Sequence, residues 1–277
     1  MSRLAPLVAA CALFSSACAA KQYPVTGMVL KVDKADQSIV VSHEKIEGYM
    51  DAMIMPFRVR EASVLDLLRP GLRVEFTLVV TKNESYAEHV RLQGGARFEK
   101  DAAYSAPAPS KELALGQPVP DFELIDQNRR PVRLSQLRGQ VVALTFIYTR
   151  CLLPDVCPRL SHNFSKLQER FRPVLGRDLT LLSITFDPQF DQPEVLAQYA
   201  RGFKADPAGW RFLTGNLEQI KGVCALFGVD FWPDEGLITH SVRAVVLDKR
   251  LTVAANLAGR DYTVKQLGDL IETVLRN

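Results

Sequence analysis

Apolar and polar positions fall into two regimes along the chain. From Val25 to Leu92, short alternating runs broken by turn residues predict five strands: Val25 to Val32, Ser38 to His43, Met53 to Val59, Leu72 to Thr81 and Tyr86 to Leu92, with one helical turn at Ala62 to Leu68. Beyond Gln117 strands alternate with amphipathic helices. A hairpin (Phe122 to Ile125, Val132 to Leu134) leads to a buried strand, Val141 to Tyr148, and then to a cysteine-bearing loop. A helix from Pro158 to Phe171, a strand from Leu179 to Phe186, and helices from Pro193 to Phe203 and Leu217 to Phe227 follow. The chain finishes with a hairpin (Val242 to Leu247, Thr252 to Leu257) and a helix opened by the capping box Thr263-Val-Lys-Gln266.

The first regime has the strand count of a small OB-type barrel, and the second has the element order of a thioredoxin-like α/β fold. The fold class expected is therefore an all-β OB-like domain at residues 21–97 and a thioredoxin-like domain at 116–277. Residues 98–115, with two prolines in Ser-Ala-Pro-Ala-Pro-Ser and few large apolar side chains, read as the linker. Residues 1–20 read as a processing signal: Arg3, then an apolar and small run from Leu4 to Phe14, then Ala17-Cys18-Ala19 as small residues for cleavage. Phe14-Ser15-Ser16-Ala17-Cys18 also resembles a bacterial lipoprotein signal, with Ser15 where that signal prefers Leu. Two mature forms stay open, a free periplasmic one and one attached to the membrane through acylated Cys18.

The chain of 277 residues is 47% hydrophobic and 23% charged, an ordinary globular composition. A net charge of +3, with no basic run interleaved with aromatics, excludes nucleic acid as the expected partner. Of the five cysteines, Cys11 and Cys18 fall in the signal, leaving Cys151, Cys157 and Cys224. Export places these in an oxidising compartment, where the close pair is either a structural disulfide or held for a purpose. Cys151-Leu-Leu-Pro-Asp-Val-Cys157-Pro158 lies where a buried strand ends and a helix begins, the chemical crevice of α/β folds. With Pro158 as the first helical residue, Cys157 is expected at the cap, where the helix dipole favours thiolate. Two thiolates are a soft ligand set, and His240, expected in a loop entering the strand at Val242, is the candidate third ligand for Cu(I) or Cu(II). Cys224, beside Val223, Leu226 and Phe227, reads as a small buried hydrophobe. No Thr precedes a lone active cysteine, which argues against a peroxidase.

Phe146-Ile-Tyr-Thr-Arg-Cys151 to Cys157-Pro158, then Ser183-Ile-Thr-Phe-Asp187-Pro188, then Thr239-His240-Ser241, resemble the Sco/SenC family of copper chaperones over roughly Leu115 to Asn277. The resemblance implies copper held by Cys151, Cys157 and His240, with Asp187 nearby. It implies copper delivery to, or thiol reduction of, the binuclear copper centre of cytochrome c oxidase, with the oxidase copper-bearing subunit as partner. Asp187 reads equally as a turn residue before Pro188. The family's usual spacing has three residues between the cysteines, whereas this chain has five.

Three of the five methionines fall in Tyr49-Met50-Asp-Ala-Met53-Ile-Met55-Pro-Phe57. Met53 and Met55 share a strand face, and with His43 they form a soft donor set for Cu(I) or Ag(I). The stretch from Tyr23 to Leu92 resembles CusF-like periplasmic copper-binding domains, with His43, Met53 and Met55 in the matching places. Met50 stands where the family's best-known member has Trp, and is a candidate further ligand. Core filling is the alternative for these methionines, and His89 and His162 read as solvated or packed. The expected function is a periplasmic copper metallochaperone, with two rivals: a thiol-disulfide oxidoreductase using Cys151 and Cys157 as its redox pair, and a copper sequestration or resistance protein.

Overall fold

The computed structural model describes residues 20–93, 112–234, 237–259 and 261–277. The processing signal, with Cys11 and Cys18, and most of the linker lie outside the described residues.

The N-terminal body is all β. Its strands are β1 (Lys21–Asp33), β2 (Ser38–His43), β3 (Ile54–Arg58), β4 (Arg73–Val80) and β5 (Ser85–Leu92), with a 3-10 turn at Ala62–Asp66. They pair antiparallel in the order β3-β2-β1-β4-β5. A parallel bridge between Val59 and Ala87 joins the two edges, which leaves no long open edge to recruit another strand. Inside lie Val29, Ile39, Val41, Phe57, Val74 and Phe76, the alternate residues of their strands. A register shift between Val29 and Lys31 bends β1 around this core. Gly27 pairs with His43 across the β1–β2 ladder. A Cβ there would lie 2.5 Å from Val41 Cγ1 and 2.8 Å from His43 Cα, so the close strand approach requires glycine.

The second body contains β6 (Glu123–Asp126), β7 (Pro131–Arg133), β8 (Val141–Ile147), α1 (Cys157–Arg170), β9 (Leu179–Thr185), α2 (Pro193–Gly202), β10 (Trp210–Thr214), α3 (Leu217–Leu226), β11 (Phe231–Asp234), β12 (Leu237–His240), β13 (Arg243–Leu247), β14 (Val253–Ala258) and α4 (Val264–Arg276). Seven of these strands form one sheet in the order β14-β13-β8-β9-β10-β6-β7. The neighbours β8, β9 and β10 run parallel. Every residue of β8 and β9 is buried, including Thr145, Thr180, Ser183 and Thr185, as suits parallel strands covered on both faces. Among the described residues no helix is long and apolar enough to cross a membrane.

Four details differ from the sequence reading. β10 was not expected; Trp210 and Phe212 are buried and alternate with half-buried Arg211, a strand pattern too short to stand out between two helices. His240 ends a strand rather than lying in a loop, because β11 and β12 form a separate two-stranded hairpin. Cys157 is the first residue of α1, with Val156 at the cap. Glu112 to Leu115, read as linker, already belongs to the α/β body: Leu113 N–H donates to Leu226 O, and Asn256 Nδ2 donates to Glu112 Oε1.

The barrel is docked on the α/β body rather than hanging from its linker. β1 is buried on both faces, Val25 and Val29 toward the barrel and Met28 and Leu30 in the α/β core. Burying those last two side chains contributes roughly 3–6 kcal/mol on transfer grounds. Polar bonds fix the register of the docking. Asp269 of α4, 2% exposed, accepts from Ser42 Oγ of β2 at 2.5 Å, Lys265 Nζ at 2.7 Å and Arg170 Nη2 at 2.8 Å. Arg73 reaches Gln266 Oε1 of the α4 capping box at 2.9 Å.

Candidate metal centre

β8 ends at Ile147 and α1 begins at Cys157, so the sheet delivers Cys151 and Cys157 to its carboxyl edge. Both thiols are free and buried, at 8% and 0% exposure, yet Leu152 and Leu153 between them are 79% and 56% exposed. The extra loop length is thus spent in solvent while the sulfurs turn inward. His240 arrives from the hairpin, with Nε2 3.7 Å from Cys157 Sγ. Its ring lies 4.5 Å from that of Phe186 and edge-on to Tyr148 at 5.9 Å, and Phe186 stacks in turn on Phe231. This aromatic bracket was not expected from the sequence; the one signal that could have found its hairpin is the short aromatic pair Phe231-Trp232 before the sequence Pro-Asp-Glu-Gly.

The two sulfurs are not equivalent. A hydrogen bond from the Cys157 thiol holds Cys151 well below the usual thiol range, at about 4; burial opposes this, and the Cys157 backbone N–H assists. Donation to Cys151, and then burial, push the Cys157 thiol strongly up. The helix N-terminus therefore favours thiolate as expected, but on Cys151, which receives the N–H, and not on the cysteine that begins the helix. Cys224 is 1% exposed on α3, and burial pushes its thiol up, as suits an inert packing residue.

His240 Nδ1 lies 3.0 Å from Ser241 O. A carbonyl can only accept, so Nδ1 carries the proton and Nε2 presents its lone pair toward the sulfurs. Sulfur and nitrogen ligands roughly 2.3 and 2.0 Å from a three-coordinate ion stand about 3.7 Å apart, which matches the observed spacing. Among the described residues no three His, Cys, Asp or Glu side chains already form a closed cage. The donor set nonetheless fits a soft ion, with one thiolate, one thiol that ionises on binding and one neutral imidazole. Asp187 is brought to the same edge but turned to Arg150, whose Nε and Nη2 lie 3.1 and 2.6 Å from its Oδ2.

In the barrel, His43 is 1% exposed, its Nδ1 is 2.6 Å from Glu44 O, and its Nε2 is buried with no hydrogen-bond partner. The tautomer logic of His240 repeats here, leaving a bare lone pair in an apolar wall. His43 N–H donates to Met53 O, and Val41 pairs with Met55, so the register sets His43, Met53 and Met55 on one face. Met53 is 44% exposed and Met55 half-buried, an open mouth rather than a packed core. Met50 is half-buried against the barrel core, and Tyr49 stacks on Tyr23 at 4.4 Å. His89 and His162 are exposed.

Comparison with known proteins finds a match for each half of the chain. Residues 111–276 match the SCO1/SenC family, and residues 22–91 match the family described as copper binding periplasmic protein CusF. A putative copper-binding protein of Stutzerimonas stutzeri is 34% identical over 115 residues, covering 42% of this chain and 54% of that protein. The crystal structure of a SCO1/SenC family lipoprotein from Bacillus anthracis superposes with a TM-score of 0.51 at 26% identity, covering 58% of this chain and 99% of that one. BsSco, described as a member of the Sco family of cytochrome c oxidase assembly proteins, shares the fold at 22% identity and a TM-score of 0.51, covering 60% of this chain and 97% of that one. The chain spans about half the length of the curated relatives it matches, 54% of the first and 50% of the second.

Proposed function

The chain belongs to the SCO1/SenC family, and on that premise we propose that it is an exported copper metallochaperone supporting assembly of the binuclear copper centre of cytochrome c oxidase. Copper is its cargo. Cys151, Cys157 and His240 take Cu(I), and Cu(II) with added ligands. His43, Met53 and Met55, with Met50 beside them, take Cu(I) at a second site. Transfer is by ligand exchange, with no covalent bond to the recipient. The observation that carries this reading is the 3.7 Å approach of His240 Nε2 to Cys157 Sγ, with Cys151 held as thiolate in the same pocket. The likeness to a periplasmic copper-binding family and to a lipoprotein supports a periplasmic location, free or anchored through Cys18.

Anaerobic Cu(I) titration of the wild type beside Cys151→Ser and Met53→Ala tests it. Two equivalents for the wild type and one for each variant are expected; substoichiometric binding by reduced wild-type protein would sink the proposal.

A second reading is favoured by the unequal thiols. A low-pKa Cys151 backed by a buried, protonated Cys157 is also the arrangement of an attacking and a resolving thiol, suited to reducing oxidised cysteines on the oxidase copper subunit. Oxidase activity in a deletion strain separates delivery from sequestration: rescue by added copper supports delivery, and copper sensitivity alone supports sequestration.

A further inference from the structure

One buried carboxylate at this edge is used by neither reading. Asp191, in the turn between β9 and α2, is 0% exposed. Its Oδ2 accepts from Thr149 N–H at 3.1 Å and from Thr185 Oγ1 at 2.5 Å, and its Oδ1 accepts from Thr149 Oγ1. Thr185 is the last residue of β9, and its hydroxyl in turn accepts Asp187 N–H at 3.0 Å. The same turn grips the next residue of the cysteine loop, since Asp187 binds the Arg150 guanidinium and Arg150 lies over the Phe190 ring at 4.5 Å. Residues 149 and 150, immediately before Cys151, are thus tied side by side to a single turn on the neighbouring strand. The stretch after Cys151 is held differently, with Leu152 and Leu153 in solvent.

From this geometry we infer that Asp191 is a positioning residue for Cys151: by bonding the Thr149 backbone and hydroxyl to the end of β9, it fixes where the chain turns out of β8 and so aligns the Cys151 sulfur with Cys157 and His240. A loop of five residues between the cysteines cannot set that alignment from its own length, so it has to come from the upstream side. Asp191 touches neither sulfur in this role. Its carboxylate acts through Thr149, as the outer partners of a metal ligand do.

This deepens the function proposed above, since it concerns the same cysteine pair, but its test needs no copper. The test is the pH dependence of Cys151 alkylation in the full chain, read by mass on the Cys151 peptide. The midpoint of each variant is read against that of the wild type. Two roles for Asp191 predict opposite shifts. If it acted only by its negative charge, Asp191→Ala would lower the midpoint, because a nearby anion disfavours thiolate. As a positioning residue, its loss lets Cys151 drift from the Cys157 thiol that donates to it, and the midpoint rises by more than one pH unit. Thr149→Val, which removes one bond and no charge, is expected to shift the midpoint the same way, with Thr149→Ser restoring it. A fall or no change in Asp191→Ala, or identical profiles for Thr149→Val and Thr149→Ser, overturns the inference. Should Asp191→Ala fail to fold, the Thr149 pair decides alone. A failed copper titration with a shifted profile would remove the function and leave Asp191 in place.

Discussion

Replacing His240 separates the two chemistries open to the cysteine pair. On the proposed reading its Nε2, 3.7 Å from Cys157 Sγ, completes the donor set, and the Nδ1–H bond to Ser241 O holds the ring with Nε2 unprotonated. Loss of a mere outer partner of a ligating histidine costs roughly 10–100-fold in metal affinity, so loss of the ligand sets a floor of about 100-fold, or about 2.8 kcal/mol. The dithiol is touched less. The first cause of the low Cys151 pKa is the hydrogen bond from Cys157, which survives the substitution. The Cys151 midpoint should therefore stay below that of an ordinary thiol. His240→Gln retains bulk against Phe186 and limits the cavity that His240→Ala opens. The assay pairs anaerobic competition against a chromogenic Cu(I) chelator with the equilibrium of the Cys151–Cys157 pair against glutathione. Cu(I) affinity within threefold of wild type in both variants would refute the ligand assignment, and dithiol exchange collapsing with affinity would show that the imidazole is needed for the pair's geometry alone.

Three further outcomes follow from the geometry of the molecule. Because Cys151 is already ionised above about pH 4 while Cys157 keeps its proton, Cu(I) uptake above the usual range of histidine titration should release one proton, so affinity at this site should rise roughly tenfold per pH unit between about pH 7.5 and 9; a flat slope or a slope of two in that window, measured by chelator competition, contradicts the assignment. At the docking interface burial works against ionised Asp269, but its bonds from Lys265, Ser42 and Arg170 outweigh this and lower its pKa. Its contribution is thus complete above about pH 4 and lost as pH falls through the lowered value. Asp269→Asn should destabilise by about 2 kcal/mol at neutral pH, discounted for the partial exposure of Arg170 and Lys265, and by progressively less in acid, as read by urea melts. Gly27→Ala should cost roughly 1–3 kcal/mol and loosen His43, because the new methyl meets Val41 and the backbone of Ser42 and His43; an unchanged melting temperature would show that β1 can move aside.

The barrel was legible strand by strand because each strand alternates and each turn is marked, and Ser38–His43 was placed to the residue. The candidate ligands could be singled out because Cys, His and Met carry their chemistry wherever they stand. What escaped depends on neighbours distant in the chain. Which cysteine ionises is decided by where the Cys157 N–H and thiol point, and spacing does not encode that. Met28 and Leu30 look like ordinary strand residues, and only the docked α4 shows why the outward face of β1 is apolar. Asp191 is one acidic side chain among several in a turn until the fold brings Thr149 and Thr185 onto it. The hairpin ending at His240 was hidden by its brevity.

The docking of β1 and β2 on α4 has a mechanical consequence. Whatever holds the chain upstream of Lys21 grips the barrel first, and through Met28, Leu30 and the Ser42–Asp269 bond it also sets the bearing of the cysteine edge. The reach of the sulfurs toward a recipient is then governed by the stiffness of that joint and not by the length of the connecting segment. Swapping or lengthening the segment should leave their aim unchanged, whereas loosening the joint should let it wander.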